Sequence, residues 1–107
     1  MGPGEIFPGE LKARMDRGDC PVIVDVREPD EVALAAFPRA IHIPMSEIPA
    51  RMSELDRTRE IVVVCHHGVR SAHVAAYLHQ NGFERVFNLY GGIDAWSLGV
   101  DSSVPRY

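Results

Sequence analysis

The most apolar run in the chain is Ile61–Val64, I-V-V-V. It is wholly β-branched and shows no polar alternation, the pattern of a strand covered on both faces. Val22–Val26 (V-I-V-D-V) and Val86–Leu89 (V-F-N-L) are runs of the same kind. Ile41–Ile43 is a brief strand ended by Pro44, and Glu5–Ile6 suits a short edge strand. Between these runs the apolar spacing turns helical. Pro8–Arg17 opens with Pro, carries Leu11 and Met15 four residues apart and stops at Gly18. Pro29–Ala36 is a short helix with Glu28, Asp30 and Glu31 at its start, where a helix dipole favours negative charge. Ser46 is the expected cap of a helix that turns Ile48, Met52 and Leu55 inward. Ser71–Asn81 is a longer helix, with Gly82 as its stop, and Gly91-Gly92 leads into a last helix, Ile93–Ser97, anchored by Trp96.

Strands alternating with helices over short connections predict an α/β domain. Its centre is a small, mostly parallel sheet of about five strands, with helices on both faces. At 107 residues this is one domain, residues 1–107, with a core over about 6–99 and a loop-like tail at 100–107. In such sheets ligands bind beyond the carboxyl ends of the strands. Cys65 follows one strand and Asp25-Val26-Arg27 ends another, so both groups are expected at one edge. Cys20 precedes its strand and is expected at the opposite edge, out of disulfide reach of Cys65.

The net charge of -4 argues against nucleic acid as a partner. No apolar run approaches the ~20 residues of a membrane span. The N-terminal residues show no basic-then-apolar leader pattern. The expectation is a cytoplasmic protein with no membrane or nucleic-acid partner. The five histidines do not spell a metal motif: there is no C-x-x-C or H-E-x-x-H spacing, and the side chains of Cys65, His66 and His67 are expected to diverge. No metal and no cofactor are expected. His73 and His79 are expected on or near the surface, and Trp96, Tyr77, Tyr90 and Phe83 in packing roles.

The candidate chemistry lies in C-H-H-G-V-R-S, Cys65 to Ser71. Gly68 tolerates the backbone angles that curl such a loop, so that the amides from His66 to Ser71 turn towards the sulfur as an anion nest. The following helix adds its positive end and Arg70 a permanent charge. Together they favour thiolate, the reactive form. Asp25 and Arg27 have two readings: support of the loop, with Asp25 pairing Arg70 or accepting loop amides, or an ion pair that stabilises the fold.

At these residues the chain resembles the rhodanese family of single-domain sulfurtransferases. D-V-R-E (Asp25–Glu28) is similar to its first signature, F-P-R-A-I-H-I-P (Phe37–Pro44) to its second, usually G-H-I-P-G-A-I-N-I-P, and L-Y-G-G-I-D-A-W (Leu89–Trp96) to its closing motif. Ala36 stands where the family commonly has His, and Arg39 where it commonly has Gly. An Arg resists the positive φ that a Gly allows, so that turn is expected to differ.

The resemblance implies a rhodanese-like fold and a double-displacement mechanism. Cys65 takes the outer sulfur of a small anionic donor (thiosulfate or a persulfide), carries it as a persulfide and passes it to cyanide, a thiol or a protein. Residues His66, His67, Gly68, Val69, Arg70 and Ser71 would form the binding loop, and Arg70, with Arg27, would attract the donor. Cysteine phosphatases of the same fold place five residues between Cys and Arg. Here there are four, the smaller cradle that suits sulfur. A docking or regulatory module with a vestigial loop is the alternative that an intact Cys65 and Arg70 argue against.

Overall fold

The computed structural model describes residues 2–107. Five strands form one parallel sheet: β1 (Gly4–Ile6), β2 (Val22–Asp25), β3 (Ala40–His42), β4 (Ile61–Val64) and β5 (Val86–Leu89). Their order is β1-β5-β4-β2-β3, which puts β4 at the centre. All four residues of β4 are buried. Ile61 and Val63 face one core cluster and Val62 and Val64 the other, the two-residue period of a strand with a core on each side.

The helices are α1 (Pro8–Asp16), α2 (Pro29–Leu34), α3 (Ile48–Arg51), α4 (Val69–Gln80) and α5 (Gly92–Gly99). One face of the sheet carries α3 and α4 through Ile48, Val74, Ala75 and Leu78, closed by Phe83. The other carries α1 and α5 through Leu11, Met15, Ile93 and Trp96, joined by Phe37 and Val104. The α/β fold with helices on both faces is as the sequence pattern predicts. Among the described residues no helix is long and apolar enough to cross a membrane.

Several local expectations are corrected. α4 begins at Val69, two residues before the expected start, because Gly68 at φ 97° makes the sharp entry. Arg70 and Ser71 therefore sit in the first helical turn. The segment after Ser46 is not one capped helix. It is a 3-10 turn (Met45–Glu47), the single turn of α3 and a second 3-10 turn (Met52–Glu54), with no side-chain cap from Ser46. Tyr90 is exposed rather than packed inside. The turn before β3 does not avoid positive φ: Arg39 adopts it, at 62°. Lastly, the tail folds back, with Val104 buried in the second core cluster.

Candidate active site

β4 delivers Cys65 to the carboxyl edge of the sheet, where the residues after β2 and β5 also arrive. The thiol is buried, 1% exposed, at the edge of the first core cluster. The Gly68 N–H donates to its Sγ at 3.1 Å. The Ser71 hydroxyl lies 3.2 Å from the same sulfur. A backbone donor and a hydroxyl of the predicted loop thus meet the sulfur at the N-terminal end of α4, the end that favours negative charge.

Asn88, on β5, organises this cradle from below. Its Nδ2 donates to the Gly68 carbonyl at 3.1 Å, which turns its Oδ1 to Ser71 Oγ at 2.5 Å. The one hydroxyl proton of Ser71 has two acceptors. With the proton on Asn88, the hydroxyl oxygen accepts from a neutral Cys65 thiol; rotated, it donates to a thiolate.

Arg70 does not point a bare charge at the sulfur. Its Nη1 and Nη2 donate to Glu31 Oε1 and Oε2 at 2.6 and 2.9 Å. Glu31 Oε1 also accepts the Glu28 N–H at 3.1 Å, which closes the N-terminal turn of α2, and Oε2 accepts the Tyr107 hydroxyl at 2.8 Å. The Arg70 hydrogen bonds, working against burial, hold the Glu31 carboxyl down to about 2. The same bonds raise Arg70 further above its ordinary value.

Asp25 pairs Arg27, not Arg70. The two are buried and bidentate, Arg27 Nε to Asp25 Oδ1 at 2.9 Å and Nη2 to Oδ2 at 2.6 Å. The remaining Arg27 donors reach the Ala35 carbonyl (2.7 Å), the Glu31 carbonyl (3.3 Å) and the Tyr107 hydroxyl (3.0 Å). All five guanidinium N–H groups are thereby used. Arg27 has no face left for an anionic donor, and the expectation that it attracts one is corrected. The pair clamps β2 to α2 and the tail.

His66 and His67 do not diverge as the sequence suggests. Their rings stack at 3.8 Å, and Tyr107 stacks on the other side of His66 at 3.9 Å, 9° from parallel. Burial, and then the neighbouring His67, lower the His66 pKa and favour the neutral ring. Its Nε2 is buried without a partner. Ligand atoms of His66, His67 and Asp94 all lie within 4.8 Å of one another, the group among the described residues with donors suited to a transition-metal ion. Asp94 is held by Arg106 at 2.9 Å. What brings it here is the weld of α5 to the loop: the Ile93 and Asp94 N–H groups donate to the Cys65 and His66 carbonyls at 2.9 and 3.1 Å. A Cβ on Gly92 would lie 2.5 Å from both carbonyl oxygens, so only glycine permits that approach.

Val69 is exposed beside the loop. An apolar cavity of about 180 Å³ lies between Met45, Ile48 and Pro49 on one side and His73, Val74 and Tyr77 on the other. It includes no residue of the Cys65 loop. Cys20 is a free, half-buried thiol ahead of β2, at the far edge of the sheet from Cys65.

Sequence reasoning missed Asn88, Tyr107 and the role of Glu31. Asn88 carried a signal, as the lone polar residue of an apolar strand. Tyr107 carried none: it meets Glu31 across 76 positions of chain.

The family model described as "Rhodanese-like domain" matches residues 7–98. A protein of Allochromatium vinosum named "Sulfurtransferase" is 43% identical over 93 residues, covering 87% of each chain. The crystal structure of a rhodanese-like domain protein from Staphylococcus aureus superposes with a TM-score of 0.84 at 35% identity, over 97% of this chain and 98% of that one. An NAD-dependent persulfide reductase from A. fulgidus gives a TM-score of 0.70 at 38% identity, over 88% of this chain and 16% of that larger one.

Proposed function

The chain belongs to the rhodanese-like domain family, and from that premise we propose that it is a sulfurtransferase that carries sulfur as a persulfide on Cys65. The observation that carries this reading is the Gly68 N–H aimed at Cys65 Sγ from 3.1 Å, at the N-terminal end of a 12-residue helix. Gly68 and the helix end stabilise anionic sulfur before and after transfer.

In the first half-reaction Cys65 thiolate attacks the outer sulfur of the donor. The Cys65–sulfur bond forms, the donor's sulfur–sulfur bond breaks, and the electron pair leaves with sulfite (from thiosulfate) or a thiolate (from an organic persulfide). In the second, an acceptor nucleophile takes the outer sulfur and returns the pair to Cys65. No external oxidant or reductant is needed, and an ionised thiol asks for no general base. The A. vinosum relative's name supports sulfur transfer as the reaction class.

Incubation with a donor tests the reading. The Cys65 peptide is expected to gain one sulfur atom, released by cyanide or a thiol reductant. Cys65→Ser is expected to abolish transfer and Cys20→Ser to retain it. An unmodified Cys65 with every donor, or transfer that depends on Cys20, overturns the assignment.

A further inference from the structure

Among the described residues, the three arginines around the Cys65 loop are paired. Arg27 is bound to Asp25, Arg70 to Glu31 and Arg106 to Asp94. The Arg70–Glu31 pair is the one that bears on the loop, because Arg70 stands in the first turn of α4, five residues after Cys65. Glu31 is held on four sides: by two Arg70 nitrogens, the Glu28 N–H and the Tyr107 hydroxyl. With its pKa at about 2, it is ionised throughout the working pH range. Arg70 therefore offers an incoming anion a charge that is already matched, in a bidentate geometry that a competing donor must break.

The two donor classes differ in what they ask of that charge. Thiosulfate is a dianion, and its approach to Cys65 thiolate gathers three negative charges; Cys65–S⁻ plus S–SO₃²⁻ gives Cys65–S–S⁻ plus SO₃²⁻. An organic hydropersulfide brings none in its protonated form; Cys65–S⁻ plus R–S–SH gives Cys65–S–SH plus R–S⁻. Both equations balance in atoms and charge. Only the first is strongly penalised when, among the described residues, no unmatched arginine faces the loop.

Resting on the sulfurtransferase reading above, we propose that Glu31 is a specificity-determining residue: by neutralising Arg70 it selects organic or protein persulfides over the thiosulfate dianion. Glu31 acts through Arg70 and is a positioning residue rather than a catalytic one.

The test compares kcat/KM for thiosulfate and for cysteine persulfide, whose amino-acid part is a net-neutral zwitterion, in the native chain and in Glu31→Gln, which keeps the side chain's shape and removes its charge. The native chain is expected to favour the persulfide. In Glu31→Gln the thiosulfate value is expected to rise about tenfold while the persulfide value moves by less than about threefold. Arg70→Gln, made alone and together with Glu31→Gln, supplies the cycle: the thiosulfate loss on removing Arg70 is expected to be larger when Glu31 is already neutral. A purely structural role for the pair would shift both donors together. Equal changes for the two donors, additive effects in the cycle, or a native preference for thiosulfate overturn the proposal while leaving sulfur transfer in place. Failure of both donors to load Cys65 in the native chain removes the underlying reading and this one with it.

Discussion

Asn88 and Ser71 share a hydroxyl that Cys65 also claims: Ser71 Oγ lies 2.5 Å from Asn88 Oδ1 and 3.2 Å from Cys65 Sγ, each within hydrogen-bond reach of its acceptor. Asn88 thus competes with the sulfur for the one Ser71 proton, and its amide also holds the Gly68 carbonyl. Asn88→Leu preserves the bulk and removes both contacts. Leaving the Gly68 carbonyl without its side-chain partner, and Ser71 Oγ with Cys65 Sγ alone, is expected to lower stability by about 1–3 kcal/mol, read by denaturant titration, and to slow loading of Cys65 by loosening the Gly68 turn. Asn88→Asp keeps an acceptor for Ser71 but adds a negative charge beneath the sulfur. It is expected to slow loading more than Leu does. Loading in Asp equal to native would show that Asn88 is only scaffolding.

Glycine contacts separate the weld of α5 from helix propensity. At Gly92 a Cβ would sit 2.5 Å from two backbone carbonyl oxygens, and φ is 62°. At Gly99 nothing lies within 4 Å of the added carbon. Gly92→Ala is expected to cost more than about 2 kcal/mol, from left-handed backbone and steric displacement together, and to disturb sulfur loading because the displaced carbonyls belong to Cys65 and His66. Gly99→Ala is expected to be neutral or to stabilise by less than about 1 kcal/mol. Equal thermal midpoints for the two variants would remove the proposed close packing.

How far the sequence could be read follows from the range of each signal. β4 and α4 were legible because a β-branched run, a helical period and a terminal glycine are local. The shared edge of Cys65 and Asp25-Arg27 was legible from parallel topology alone. The partner of Arg70 was not. Its charge is visible in the sequence, but Asp25 and Glu31 are equally acidic candidates, and only packing shows that Arg27 saturates Asp25. Glu31 looked like an ordinary first-turn acid, which it also is, since it accepts the Glu28 N–H. The tail looked like loop because V-P-R-Y has no period, while Tyr107 is placed by a phenol that fits Glu31, Arg27 and a histidine face together.

Acid titration reports on the Glu31 pair independently of activity. The Glu31 carboxyl lies at about 2 in the folded protein against an ordinary 4.5, so its folded-state pKa is depressed. Its contribution to stability is full above about 4.5 and is lost as pH falls through about 2. After allowance for solvent screening this is expected to amount to about 1–2 kcal/mol. Glu31→Gln is expected to be less stable than native at neutral pH and to converge with it below pH 2–3, measured as the urea midpoint across pH. Parallel curves would show that Glu31 titrates normally.

Arg39 offers a change in the opposite direction. It is exposed, lies in the turn before β3 and holds φ at 62°, a region that costs a residue with a Cβ about 1–2 kcal/mol. The structure attaches no ion pair to Arg39 among the described residues, so nothing in its side chain offsets that strain. Glycine removes the strain but enlarges the unfolded ensemble by an opposing fraction of a kcal/mol to about 1 kcal/mol. Arg39→Gly is therefore expected to stabilise by about 0.5–1 kcal/mol, a rise of several degrees in the thermal midpoint for a domain of this size. Arg39→Ala keeps the Cβ and is expected to gain nothing. The turn precedes its strand, so it lies at the opposite edge of the sheet from Cys65, and sulfur loading is expected to be unchanged in both variants. An equal gain from Gly and Ala would assign the effect to the lost Arg side chain rather than to the backbone. No gain from Gly would mean that the unfolded-state entropy fully offsets the strain at this turn.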